Sequence, residues 1–212
     1  MRQVAEPLLQ PIEITALRPT QITIGMREVH QKRAEWQGIP EEERPKYLGR
    51  HMLPAVIGPK GKHYIIDNHH LARALHEEGV PKVLVSIVAD LHRLERSTFW
   101  TFLDSRNWMH PFNVDGERQN YDQLPKTIDK LADDPYRSLA GALREAGGFA
   151  KDNTPYSEFL WADFLRRRIR KKALAADFEG SLKKAVGLAR GQAANYLPGW
   201  CGPEKEDKVT PK

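Results

Sequence analysis

The sequence predicts an α+β protein, with a compact α+β domain over residues 11–92 and a mainly α-helical region over 93–200. Three observations predict it. Short β-branched runs alternate with amphipathic helical stretches in the first part, helical spacing dominates the second, and no internal repeat or low-complexity tract interrupts either. Only the end of the chain, 201–212, reads as a disordered tail.

Taken in order, "PIEITALRPTQITI" holds two short strands, around Ile12–Leu17 and Ile22–Ile24, separated by the turn Arg18-Pro19-Thr20. After Gly25, the apolar residues Met26, Val29, Ala34 and Trp36 fall at helical intervals, so a helix is expected to end near Gly38. "IPEEERPKYLGRHM" reads as a polar connection. "LPAVIGPKGKHYIIDN" is a hairpin, with Val56 and Ile57 on one arm and Tyr64, Ile65 and Ile66 on the other. A helix carrying Leu71, Ala74 and Leu75 follows, capped at Gly79, and "KVLVSIVAD" is the next strand. Beyond it, "RLERSTFWTFLDSRNW", "YDQLPKTIDKLADD", "PYRSLAGALREAGG", "YSEFLWADFLRRRIRKK" and "DFEGSLKKAVGLARGQAANYL" all show helical spacing.

With 212 residues, 40% of them hydrophobic, the chain can bury a real core. A formal charge of +5 is compatible with polyanionic partners without requiring one. The single cysteine, Cys201, excludes an intrachain disulfide, a cysteine-rich zinc site and a Cys-x-x-Cys redox pair. No apolar run reaches the length of a signal peptide core or a membrane span, so a soluble, cytoplasmic protein without a membrane partner is expected.

The stretch with most chemistry is "IIDNHHLARAL", where Asp67, Asn68, His69 and His70 occupy the hinge between a strand and a helix. A helix N-terminus offers unpaired N–H groups and a positive dipole end, a ready site for phosphate or carboxylate. Asp67 or Asn68 can act as N-cap. His69, His70 and, one turn on, Arg73 would complete an anion cradle, and Asp67 could hold Mg²⁺ or accept a proton. The same residues have structural uses: Asp67 as a cap, one histidine in the interior, Arg73 on a solvated face.

This stretch resembles the Asp-Gly-His-His-Arg type of motif in the ParB/sulfiredoxin superfamily. "LRPTQITIGMREVHQKRAEW" resembles that superfamily's opening strand and helix. "DPYRSLAGALREAGGF", "YSEFLWADFLR" and "LPGW" are similar to its ParB-like nucleases. The resemblance covers about residues 11–200. It implies a small mixed sheet with helices, a nucleotide such as ADP or ATP bound by its phosphates at the helix N-terminus, and, in some relatives, phosphoryl transfer. Asn68 stands where the kinase-like relatives have glycine and Leu71 where they have arginine, so the guanidinium must come from Arg73 or elsewhere. Glu28 corresponds in place to the glutamate that serves as base in free-serine kinases of the superfamily, although a glutamate in a first helical turn also suits the dipole.

Other residues are candidates by position. Asp90, at a strand end, could join Asp67 as a second metal carboxylate, or cap the next helix. His51 and His63 flank the hairpin and could approach the histidine pair, but neither spacing is a zinc signature. "FWTFLDSRNWMHPFN" is expected to form a packing seam between the two halves, and alternatively a pocket wall with Asp104 and His110. Arg166, Arg167, Arg168, Arg170, Lys171 and Lys172 could grip a nucleic-acid backbone or form the solvated side of a helix. The functions in view are therefore a phosphoryl-transfer or phosphate-hydrolysing enzyme acting on a nucleotide or phosphorylated small molecule, a nuclease using the same site on DNA or RNA, and a nucleotide- or DNA-binding module without chemistry. Sulfinic-acid reduction is remote, because the motif has no cysteine.

Overall fold

The computed structural model describes residues 8–203, so the tail expected over 201–212 lies, from residue 204 onward, outside the described residues. The described chain divides into two compact units at 134/135. The boundary thus falls later than the residue 92 expected from texture, because residues 93–134 pack with the first unit.

The first unit is built on a five-stranded sheet in the order β1-β6-β4-β5-β2. These strands are β1 (Leu8–Glu13), β2 (Arg18–Pro19), β4 (Leu53–Gly58), β5 (Lys62–Ile65) and β6 (Lys82–Asp90). The sheet is mixed: β1/β6 and β4/β5 run antiparallel, whereas β4/β6 and β2/β5 run parallel. A separate parallel pair joins β3 (Thr23–Ile24) to β7 (Ala132–Asp133).

The sheet is covered on two faces, which period-two alternation makes available. Ile65 belongs to one core, with Ala55, Val85 and the apolar sides of α1 (Met26–Gln37) and α3 (His69–Glu77). Its neighbour Tyr64 belongs to the other, with Val56 and with Phe99, Trp100 and Leu103 of α4 (Arg96–Ser105). Gly58 makes the second core possible at the hairpin end: a Cβ there would fall 2.6 Å from the Tyr64 ring and 2.8 Å from Phe99.

The first strand stops at Glu13, a 3-10 turn takes Ile14–Ala16, and Arg18–Pro19, expected as part of a turn, is strand β2 paired with β5. Two longer segments also differ from expectation. The polar connection contains a helix, α2 (Arg44–Arg50), with Pro45 in its first turn, where a missing N–H costs nothing. "YDQLPKTIDKLADD" is not a helix; it forms two 3-10 turns, Tyr121–Gln123 and Ile128–Lys130, and then β7, with Pro125 between the turns.

The second unit consists of α5 (Pro135–Glu145), α6 (Ser157–Arg166), α7 (Lys171–Ala176) and α8 (Phe178–Arg190). Its core is centred on Trp161, whose ring stacks on Phe149 at 4.5 Å and whose indole N–H donates to the Pro198 carbonyl at 2.9 Å. No helix among the described residues is long and apolar enough to cross a membrane.

Candidate functional site

At the end of β5 the chain leaves the sheet with one last bond, Ile66 N–H to the Pro54 carbonyl at 2.9 Å, and turns into α3. Asp67 makes the turn by accepting the Asn68 amide on Oδ1 at 2.7 Å. Asn68 sits in the N-cap position in the left-handed region, φ 59°, and its side chain does not cap the helix. After glycine, asparagine is the residue that tolerates this conformation best. Asn68→Ala is therefore expected to lower stability by about 1 kcal/mol while Asn68→Gly leaves it within that margin, as read from urea midpoints.

His69 is 4% exposed. Its Nε2 accepts the Thr20 N–H at 3.1 Å, and the ring is also hydrogen-bonded to the Ile65 backbone. Burial, reinforced by the neighbouring His70 and only partly offset by the Ile65 bond, pushes its pKa down to about 3. His69 is thus a neutral strut between α3 and the segment after β2, and does not supply a cationic arm to an anion cradle.

His70 reaches the same segment further along, where its Nε2 accepts the Gly25 N–H at 3.1 Å. The Glu28 carboxylate, from the first turn of α1, lies 3.5 Å from that nitrogen. Two residues expected from separate arguments are therefore brought together where two helices begin.

Arg73 is turned away to other work. Its Nε donates to Glu77 at 2.7 Å, and one terminal nitrogen donates to the carbonyls of Ile128, Asp129 and Leu131 at 3.4, 2.9 and 3.2 Å. It pins the Ile128–Leu131 turn to α3 and is not available as the phosphate guanidinium that the motif suggested.

The expected metal pair is not assembled. Asp67 stands beyond the Met52–Pro54 end of β4, whereas Asp90 pairs with Ile57 at the other end, about five residues or roughly 16 Å of strand away. Asp90 instead accepts from the His92 ring at 2.6 Å and from its backbone, and these bonds hold its carboxyl below the usual range. No group of three or more His, Cys, Asp or Glu suited to a metal occurs among the described residues. The residues present thus do not fit a two-carboxylate Mg²⁺ site. His51 stacks on Tyr47 at 4.0 Å and His63 bonds Gln10 at 3.3 Å, so neither joins the pair at 69 and 70.

The segment 99–113 is a packing element of the first unit itself, through Phe99, Trp100 and Leu103. Asp104 is engaged by Arg118 and by the Tyr121 hydroxyl at 3.1 Å, while His110 stacks on Phe112 at 4.5 Å. In the second unit the basic run is not one helical face. Helix α6 ends at Arg166, α7 begins at Lys171, and Arg168 lies 3.8 Å over the Phe164 ring. Asp163 takes both Arg166, at 3.6 Å, and Arg167, at 2.8 Å. Arg170, Lys171 and Lys172 remain exposed.

One feature escaped sequence reasoning. A cleft of about 320 Å³ opens on the α4 side of the sheet, lined by Arg18, Lys60, Lys62, Arg96 and Lys126 together with aromatic rings. Its residues are scattered from 18 to 126, and only the "KGK" of the hairpin hinted at it locally.

A mixed five-stranded sheet with a helix starting at an Asp-Asn-His-His hinge defines a ParB/sulfiredoxin-like α+β protein. The family model described as "Putative ParB-like nuclease" matches residues 10–167, and the chain belongs to that family. It is similar to the crystal structure of protein Atu1540 from Agrobacterium tumefaciens, with 50% identity and a TM-score of 0.89 over 95% of this chain and all of that one. A truncated chromosome-partitioning protein ParB from Caulobacter crescentus, crystallised with CTP-gamma-S, matches 88% of this chain and 94% of its own at 11% identity. Its TM-score of 0.31 is too loose a likeness to carry an inference. No curated protein matches the chain.

Proposed function

We propose that this ParB-like protein hydrolyses phosphate esters of nucleotides or nucleic acid at the start of α3, with Glu28 and His70 as its acid–base pair. The observation that carries this reading is the 3.5 Å contact between the Glu28 carboxylate and His70 Nε2 beside the N-termini of α1 and α3. Phosphoryl chemistry asks for a proton acceptor at the attacking water, a donor at the departing oxygen and electrostatic support for the charge between them. Glu28 takes the proton of the water as it attacks phosphorus; the imidazolium form of His70 returns a proton to the leaving oxygen as the P–O bond breaks. Helix N-termini supply favourable dipoles for the phosphate.

A specific observation favours a second reading, a binding module without turnover: Nε2 of His70 already accepts the Gly25 amide, and His69 and Arg73 are committed to backbone groups. One experiment separates the two. Single- and double-stranded oligonucleotides and nucleoside triphosphates are incubated with the protein, and products are resolved chromatographically. Hydrolysis is expected to fall by about 10²-fold or more in Glu28→Gln and in His70→Gln at unchanged melting temperature. Binding of the same ligands with no product from the unaltered protein would establish the second reading.

A further inference from the structure

The cleft on the α4 side of the sheet carries chemistry that the α3 reading leaves unused, and it lies across the sheet from α3: Tyr64 lines it, whereas Ile65, the next residue along β5, faces the α3 core. Five cations line it, Arg18, Lys60, Lys62, Arg96 and Lys126, against one carboxylate, Asp122. None of the five is in an ion pair among the described residues, and Arg18 has only the face of Tyr64, 6.0 Å from its guanidinium. Elsewhere in this unit Lys32, Arg33, Lys82 and Lys130 each have a carboxylate partner. Like charges gathered around a small concavity raise one another's energy, and an anion placed among them relieves it.

The wall of the cleft is as particular as its charge. Tyr64, Phe99, Trp100 and Tyr121 line it, with Tyr64 and Trp100 at 5.3 Å and Trp100 and Tyr121 at 6.2 Å between ring centroids. Trp100 is 6% exposed, and its indole N–H has no hydrogen-bond partner among the described residues. A buried donor left unpaired is costly, and Trp100 is one of the residues that line the cleft. Helix α4 also begins at Arg96, which turns the positive end of its dipole toward the same place.

Cations alone would suit any phosphate or sulfate; cations against an aromatic wall select a flat, π-rich anion, which is the pairing used for unpaired nucleotides. We infer that this cleft binds one nucleotide unit, its base against the Trp100–Tyr121 wall and its phosphates among Lys60, Lys62 and Lys126, either as a free nucleotide or as one unit of a single strand. A volume of about 320 Å³ suits one such unit. The site is independent of Glu28 and His70.

The test is fluorescence anisotropy and calorimetry on the full chain with four probes: a labelled single-stranded homopyrimidine oligonucleotide, a duplex of the same length, a nucleoside monophosphate and inorganic phosphate. The triple variant Lys60→Ala/Lys62→Ala/Lys126→Ala removes exposed side chains, and Tyr121→Leu alters the wall. The oligonucleotide is expected to bind more tightly than duplex, to lose at least about tenfold in affinity in either variant, and to lose about 2 units of log-affinity against log-salt slope in the triple variant. Mononucleotide binding as tight as that of the oligonucleotide identifies the free nucleotide as the source. The inference is overturned if affinity is unchanged in both variants, if phosphate competes as well as the nucleotides do, or if no nucleotide probe binds. The hydrolytic reading is tested by product formation and this one by the affinities of variants on the other face of the sheet, so failure of the one and failure of the other give different results.

Discussion

His69→Leu is expected to destabilise the first unit by about 2–4 kcal/mol at neutral pH, although it replaces a polar residue by an apolar one in a buried position. The Thr20 amide loses the His69 acceptor, and an orphaned buried N–H costs about 1–3 kcal/mol; the bond to the Ile65 backbone, worth about 1 kcal/mol, is lost as well. The Ile65 carbonyl is not stranded, since the Thr20 hydroxyl still donates to it at 2.9 Å. Thr20 amide exchange should rise with the substitution, which localises the effect.

The same residue sets a pH dependence. Its folded pKa is about 3, below the ordinary 6.5, so the unfolded chain takes up a proton that the native one refuses. The stabilisation is complete above the unfolded value and is lost as pH falls from 6.5 toward the folded value. Between about pH 8 and pH 5 the unaltered protein should lose about 2 kcal/mol through this group, and His69→Leu should lose correspondingly less, by urea unfolding at both pH values. An equal pH dependence in the two proteins would contradict the burial of a neutral imidazole.

Pattern made β6 and α5 readable because each element is long and strongly periodic: "KVLVSIVAD" is the strand Lys82–Asp90, and "PYRSLAGALRE" the helix Pro135–Glu145. Short elements were harder. Helix α2 is seven residues with no buried side chain, so no apolar stripe announced it, and the stretch 121–134 has helical spacing that Pro125 and pairing with β3 override. At the hinge, sequence located the turn and the helix but could not say which way the side chains face. Two adjacent histidines look alike in sequence, yet one is sealed against Thr20 and the other stands beside Glu28, because successive helical residues point about 100° apart. Spacing alone puts Arg73 in the cradle, whereas the Ile128–Leu131 carbonyls that claim it come from more than fifty residues away. The cleft was illegible for the same reason, its cations being neighbours only after β2, the β4–β5 hairpin and α4 have come together.

In the second unit, Glu158→Gln is expected to cost about 3–5 kcal/mol, more than any exposed ion pair in the chain. Glu158, in the first turn of α6, receives Arg137 and Arg144 of α5 on its two oxygens, and the Arg137 side chain is only 6% exposed while that of Glu158 is 13% exposed. Arg137 also lies 5.4 Å over the Phe159 ring, which covers part of its cation with an apolar face. An amide keeps the shape of the carboxylate but not its charge, and removes the counter-charge that Glu158 gives that buried guanidinium. If the cost arises from the lost Arg137–Glu158 pairing, the double variant Arg137→Met/Glu158→Gln should recover much of the loss, since removing both charges avoids the desolvation that their pairing offsets. Arg167→Ala supplies the contrast: it pairs with Asp163 at 2.8 Å but is 72% exposed, and it should change stability by less than about 1 kcal/mol. Thermal unfolding of the four proteins would decide the matter. A Glu158→Gln midpoint no lower than that of Arg167→Ala, or a double variant worse than the single one, would show that helix packing around Trp161, and not the buried carboxylate, joins α5 to α6.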